Sequence, residues 1–548
     1  MKRVFSILMV CCLLLSLFTA CNSKKTNGYI VSYDFTHLPK TLDPQLATSS
    51  EALMIIENTF EGLLRKNADG ELMPGVATGY TVSDDKLTYT FNLRTNAMWS
   101  DGKTHVTAAD FVFAFTRVVE PDTFSPGITS FLCIKNAQEI YAGRMPASKL
   151  GVEATDEHTL TVHLDVPSPF FAEAVTSAAA MPCNEKFFRL QKGRYGLEPS
   201  YLLYNGPFFV KSYDPENRIK LRANNKYHSE TPTVAGGVDF IFQFDDKPDK
   251  EKPDAVLKTG NQKVLERIYT GRTDAAPVSY SDVSPLKEKT GAQIYSFENT
   301  SWGLLLNCSG APYDNESIRR AIALSVDYSE LEPFFGDNLS PANALVPPAV
   351  KLLDKPYRKA AGENLRPHTD TALAKALLAE GFAASGITKL PKTSIIFDEN
   401  MPLAPMLSVL QRQLQNSLGV YVNLEALPQG ELRSRIRGGD YTFAVAAFSA
   451  NSNSPDSILN CFTSKSPLNV CGYFDYSFEK KLEEAMVAED ILKAAELYKS
   501  AEEVLLNSGV YIPLCYETSY FASSAGLHGV SFSPFSYKVF FKLAYNEG

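Results

Sequence analysis

Imidazole is the commonest protein metal ligand and general base, so the seven histidines are the first residues to test for chemistry: His37, His105, His158, His163, His228, His368 and His528. Only His158 and His163 lie close together. Strand alternation puts them on opposite faces, which is wrong for joint ligation of one metal ion, so they read as surface histidines on a strand. The paired carboxylates Asp84-Asp85 and Glu483-Glu484 fall in a polar turn and on an exposed helix face, where both acids stay solvated. There is no HExxH, GxxxxGK[ST], GxGxxG or GxSxG; each of those spacings places a metal ligand, a phosphate cradle or a nucleophile. The residues point to no catalytic group, no cofactor and no metal, although a hydrolase with dispersed residues would leave no motif.

Cysteine is the other reactive type, with nine copies. Lys2 and Arg3 open the chain, an apolar run follows from Val4 to Ala20, and small residues Thr19 and Ala20 lead into Cys21. This is the pattern of a secretory signal peptide over residues 1–20, too short and wrongly flanked for a membrane span. A Cys directly after small residues resembles a bacterial lipobox, in which the thiol is acylated; Phe18 departs from that motif, which usually has an aliphatic residue there. Cys21 is therefore the candidate lipid anchor, and residues 21–28 the tether. Six cysteines remain: Cys133, Cys183, Cys308, Cys461, Cys471 and Cys515. Cys461 and Cys471 flank a Ser/Pro/Asn-rich segment at a spacing that could close a loop in an oxidising compartment. Spacing does not give connectivity, and buried small apolar residues is an equally good reading.

The elements that must position any site come from patterning. At 548 residues, with 45% hydrophobic and 21% charged, the chain is ordinary globular material for three or four domains. A net charge of −9 without a basic tract is unsuited to phosphate backbones, so nucleic acid is excluded as a partner. Strand alternation appears at Tyr89, Phe91 and Leu93, at Leu160, Val162 and Leu164, and from Val238 to Phe244. Helical spacing joins Ile318, Ala321, Ile322 and Val326 behind a cap at Asp314 or Asn315. It also joins Phe478 to Met486, and Ile491 to Leu505 with Gly509 as the stop. Strands and helices intersperse, which predicts a mixed α/β class. Asp245 to Pro253 and Leu352 to Asp370 read as irregular.

Ordered blocks run from about residue 30 to the C-terminus. They begin with Leu42-Asp43-Pro44, Asn58-Thr59-Phe60-Glu61-Gly62-Leu63-Leu64 and Pro74-Gly75-Val76-Ala77. The most specific are Leu87 to Arg94, Trp99-Ser100-Asp101-Gly102 and Val106-Thr107-Ala108-Ala109-Asp110-Phe111-Val112. Asn205-Gly206-Pro207-Phe208, Pro312-Tyr313-Asp314 and Ile512-Pro513-Leu514 follow. Together these resemble the family 5 extracellular solute-binding proteins, of which the oligopeptide-binding proteins of ABC importers are members. The resemblance implies a two-lobed fold with the ligand cleft between the lobes and an extra domain in one of them. Lobe I would take residues 29–60, 185–300 and 518–548, the extra domain 61–184, and lobe II 301–517. It also implies hinge closure around a ligand and an extended peptide held by main-chain hydrogen bonds, which are indifferent to side chains.

Departures from the family pattern bear on the cargo. In the peptide receptors one strand-and-turn carries a Trp and, three residues later, an Asp for the peptide's α-ammonium. Here the matching stretch starts at Ala447, Phe448 and Ser449; Phe448 replaces the Trp and Asn451 the acid. Gly127 and Glu517 stand where the peptide receptors carry Tyr, and Ser49 and Ser50 complete the ligand-binding set that the resemblance implies. The family's disulfide is absent, with Thr300 and Ser449 at its positions. Loss of one acid and gain of another suggests that Glu517 supplies the missing charge; the alternative is an exposed Glu517 and no recognition of the amine.

The expected protein is thus a monomeric, lipid-anchored binding component in the periplasm or cell envelope. It captures oligopeptides, cell-wall peptides among them, and delivers them to ABC permease subunits in the inner membrane. A non-peptide cargo, or an exported hydrolase, are the alternatives.

Overall fold

Two long antiparallel strands, Gln293–Leu306 and Tyr511–Ser523, pair with each other along nearly their whole length. They are the centre of a computed structural model that describes residues 28–547 apart from 68–70, 169, 248–256, 353–354, 363, 400, 402, 451–453, 465, 467, 489 and 535–538. The expected signal peptide, Cys21, most of the tether, and Asn451 lie outside the described residues.

Eleven strands among the described residues form one continuous sheet. On one side of the central pair, residues Thr300 to Leu306 bond Phe443–Ser449, which continues into the parallel strands Thr393–Asp398 and Val422–Leu427. On the other side, residues Tyr520 to Ser523 bond Ala275–Val278, which leads to Ile30–Phe35, Gly237–Phe242, Arg218–Ala223 and Phe208–Asp214. The two long strands therefore belong to both lobes, and they are the only elements of this sheet shared in that way. A lobe-to-lobe rotation must bend them. Their pairing slips by one residue at Asn299 and again at Leu514; a bulge leaves an unpaired residue and re-aims the strand.

Lobe II buries both faces of its half-sheet. Helices Glu316–Leu324, Thr371–Ser385 and Ala404–Leu418 cover one face. Helices Tyr476–Met486 and Ile491–Asn507 cover the other. Covering on both faces fits the buried apolar runs Ile395-Ile396-Phe397 and Phe443-Ala444-Val445. The predicted caps form. Asn315 accepts from the Ile318 N–H and Gly509 turns the chain at φ +69°, and a further cap, Asp475, accepts from the Phe478 N–H. Any Cβ at Gly509 would sit 2.5 Å from the Arg319 carbonyl, so only glycine lets these helices approach.

A separate four-stranded antiparallel sheet, Ala77–Val82, Thr88–Leu93, Thr159–His163 and Val152–Asp156, shares one core with the first lobe. The Trp99-to-Asp110 block explains itself there. Asp101 accepts from the Lys103 and Thr104 amides in a turn completed by Gly102 at φ +65°. Thr107 and Asp110 form the capping box of helix Ala108–Val119, and the fully buried Trp99 donates its indole N–H to Asp110 at 3.2 Å.

Candidate functional site

Between the lobes lies a cavity of about 960 Å³, large enough for a short peptide or a drug-sized ligand. Lobe I contributes Ser50 and Glu57 from helix Ser50–Thr59, then Glu61 to Asn67, Pro126 to Ser130, Ser168, Phe170 to Ala179, and Lys542. Lobe II contributes Ser449, Ala450, Ser454, Asp456, Ser457, Cys461 and Tyr498, and Asn299 at the strand bulge stands on the floor.

The lobes touch across this space. Phe170, from the first lobe, packs against the apolar core of the second, its ring 6.1 Å from that of the fully buried Tyr498. Asn299 ties the hinge together. Its side chain donates to the Pro534 carbonyl at 2.6 Å and accepts from Ser519 at 3.0 Å, while its own carbonyl accepts from the Ala450 amide at 3.2 Å.

Of the sequence-derived site residues, Ser50, Gly127 and Ser449 line the cavity. Ser49 is spent as the N-cap of helix Ser50–Thr59, accepting from the Ala52 N–H at 3.3 Å. A Cβ on Gly127 would fall 2.5 Å from the Ala179 Cβ, so the close approach here leaves no room for the aromatic side chain of the peptide receptors. Ala447 is exposed on its strand. Phe448 turns the other way and meets Phe462 and Tyr511, with ring centres at 4.9 and 5.4 Å. Ser449 and Thr300 are register partners whose hydroxyls hydrogen-bond at 2.8 Å, so a polar contact joins the two strands at this point. Glu517, opposite Thr300 and Leu339 in the sheet, accepts the Trp302 indole N–H at 2.7 Å and is not among the residues that line the cavity.

Sequence reasoning missed the acid that lines the cavity from lobe II. Asp456 opens the short helix Asp456–Leu459, five residues past Asn451. Its carboxylate accepts from the Ser454 hydroxyl, and burial raises its pKa. Among the described residues no Lys, Arg or His lies within ion-pair distance of it, and the neighbouring Ser457 hydroxyl has no hydrogen-bond partner. Two of the acids that line the cavity from the first lobe are engaged. Glu173 pairs with Lys66 at 3.0 Å, and Glu61 takes His228 at 2.6 Å and the Tyr227 hydroxyl at 2.5 Å. On the first lobe's side, Lys542 is pushed down to about 8 by burial and by the nearby Arg65 charge. Among the described residues the cavity therefore presents an acid without an ion-paired cation on one wall and a destabilised cation on the other. A single Asp behind a Pro at a helix start carries no sequence signal that separates it from a cap.

All six described cysteines carry free thiols. Cys461 and Cys471, whose spacing suggested a loop, are not joined, and Cys471 lies beside Cys308 instead.

The family model described as bacterial extracellular solute-binding proteins, family 5 Middle, matches residues 71–469. The dipeptide-binding protein DppE of Bacillus subtilis (strain 168) is 26% identical over 516 residues, covering 94% of this chain and 91% of that protein. The probable deoxycholate-binding periplasmic protein YgiS of Escherichia coli (strain K12) is 28% identical, covering 87% and 86%. The crystal structure of the substrate-binding domain of an oligopeptide ABC transporter from Bacillus anthracis str. Ames superposes with a TM-score of 0.74 at 25% identity, over 94% of this chain and 99% of that one.

Proposed function

Because the chain belongs to the bacterial extracellular solute-binding proteins of family 5, we propose that it is the substrate-binding component of an ABC importer that captures oligopeptides outside the cytoplasm and passes them to a membrane permease. The observation that carries this reading is the interlobe cavity, which is lined from both lobes and reaches the bulge at Asn299 on one of the strands that connect them. A ligand lying there touches both lobes at once and so stabilises the closed arrangement by its differential contacts. Peptide-named relatives that align over nearly the whole chain support the class of cargo.

The electrostatics sharpen the reading. Asp456 is the acid that meets the ligand's positive end, since Glu517 already holds the Trp302 indole. A hydrogen bond to a charged partner contributes about 1.5–3 kcal/mol, and among the described residues no cation is paired with this carboxylate. Export through the segment at residues 1–20, acylation of Cys21 and action as a monomer complete the proposal. No helix among the described residues is long and apolar enough to cross a membrane, so a lipid would supply the attachment.

Native mass spectrometry after incubation with a defined peptide mixture tests the class: intact peptide adducts support it, and cleavage products overturn it. A non-peptide adduct would favour a second reading, which the alignment with a deoxycholate-named relative keeps in play. For the anchor, Asp456→Asn should weaken a free-amine peptide about tenfold or more, equivalent to at least 1.4 kcal/mol, and leave its N-acetylated form unchanged. Loss of that difference in Glu517→Gln but not in Asp456→Asn would transfer the role to Glu517.

A further inference from the structure

The Cys308 amide donates to the Cys471 carbonyl at 2.8 Å, which sets the two thiols side by side; the Cys308 thiol donates to the Leu306 carbonyl at 3.6 Å and the Cys471 thiol to Asn469 Oδ1 at 3.3 Å. A direct amide-to-carbonyl bond brings the two backbones into contact at the cysteines, and a disulfide bridges Cα atoms roughly 4.4–6.8 Å apart. The approach is built by the backbone on both sides. Cys308 lies two residues past the end of the hinge strand Gln293–Leu306, and Gly472, at φ +67°, turns the partner segment so closely against Ser309 that a Cβ would fall 2.9 Å from the Ser309 Cβ. Cys461 is placed apart, its sulfur turned to its own helix carbonyl at Ser457.

The two thiols are not equivalent. Cys308 is half-buried and Cys471 is 1% exposed. The adjacent Cys471 thiol and the nearby Arg319 charge hold the Cys308 thiol below its ordinary range, while the adjacent Cys308 and burial drive Cys471 well above it. The reachable member of the pair is thus the better nucleophile.

We propose that Cys308 and Cys471 are a modification site, a dithiol that closes to a disulfide by exchange with a small organic disulfide. The Cys308 thiolate attacks one sulfur of the oxidant and expels the other as a thiolate, giving a mixed disulfide. Cys471 then loses its proton and attacks the Cys308 sulfur, expelling the second thiolate. Two electrons and two protons pass to the oxidant, which leaves as two thiols.

The bond would act on the cavity. Cys471 ends the run whose Ser466 and Leu468 line the cavity, and Asn469 holds that run by donating to the Phe462, Thr463 and Tyr473 carbonyls. Oxidation would fasten this wall to the end of a strand that crosses between the lobes.

The test uses the purified chain and oxidised glutathione as probe, and it does not depend on the nature of the ligand. Two thiols should vanish from a denatured alkylation count, with loss of the mass of two hydrogen atoms. Unreduced proteolysis should give a fragment joining the Cys308 and Cys471 peptides, in wild type and in Cys461→Ala alike, and dithiothreitol should reverse it. The oxidised form should melt about 3 °C or more higher. Full alkylation of both residues after oxidation, a Cys461–Cys471 link, or a glutathione adduct on Cys308 that never resolves would each overturn the assignment.

Discussion

The indole N–H of Trp302 donates to a carboxylate oxygen of Glu517 at 2.7 Å, from one hinge strand to the next. The contact spends a charge that the sequence comparison would have given to the ligand. It also places a charge-assisted hydrogen bond one register step from the bulge at Asn299.

Glu517→Gln should therefore act on the hinge more than on charge recognition. The amide oxygen still accepts the indole proton but without the charge, a loss of about 1 kcal/mol in stability. The ratio of affinities for free-amine and N-acetylated peptides should stay within about twofold. Denaturant titration and calorimetry on the two peptides measure both quantities.

Phe170 is the contact that carries closure across the cavity. Removing a half-buried ring that packs on Tyr498 should cost about 1–2 kcal/mol of the closed arrangement, a shift of roughly tenfold in the open–closed equilibrium. Phe170→Ala should enlarge the radius of gyration of the ligand-free protein in small-angle scattering and raise the dissociation constant. An unchanged scattering curve would remove Phe170 from the closing mechanism.

Asp110 makes the stability of the first lobe pH-dependent. Burial pushes its carboxyl up from 3.8 to about 6, against hydrogen bonds from Thr107, Trp99 and Asn184. Between those values the folded chain holds a proton that the unfolded chain has lost, so this group's contribution to stability falls as pH rises through the window. Asp110→Asn abolishes the titration. Wild-type minus variant unfolding free energy should thus drop by up to about 3 kcal/mol from pH 4 to pH 7. A difference that stays flat, or that rises, would contradict the burial argument.

Much of the scaffold was legible in one dimension because its determinants are local. The alternation at Tyr89, Phe91 and Leu93 returns as strand Thr88–Leu93 with those three residues buried, and Asn315 and Gly509 punctuate their helices where their side-chain and backbone preferences dictate. The ordered blocks likewise identified the two-lobed class, since each block encodes a turn or cap that has few solutions, as Asp101-Gly102 and Thr107 with Asp110 illustrate.

The partners of individual side chains were not legible, because they depend on distances between segments far apart in the chain. Ser49 and Ser50 are neighbours, yet one caps a helix and the other faces the cavity. Glu517 and Asp456 are both acids near the expected site, and only the sheet register brings the first to Trp302, while the second lies on a short helix with no ion-paired cation among the described residues. Spacing left Cys471 either pairing with Cys461, ten residues away, or simply buried, and the turn at Gly472 brings it beside Cys308. The sequence by itself determined the elements and their order, through periodicity, capping and glycine geometry. Only the tertiary structure decided which polar groups are already satisfied and which remain free to bind, because that follows from long-range packing that no local pattern encodes.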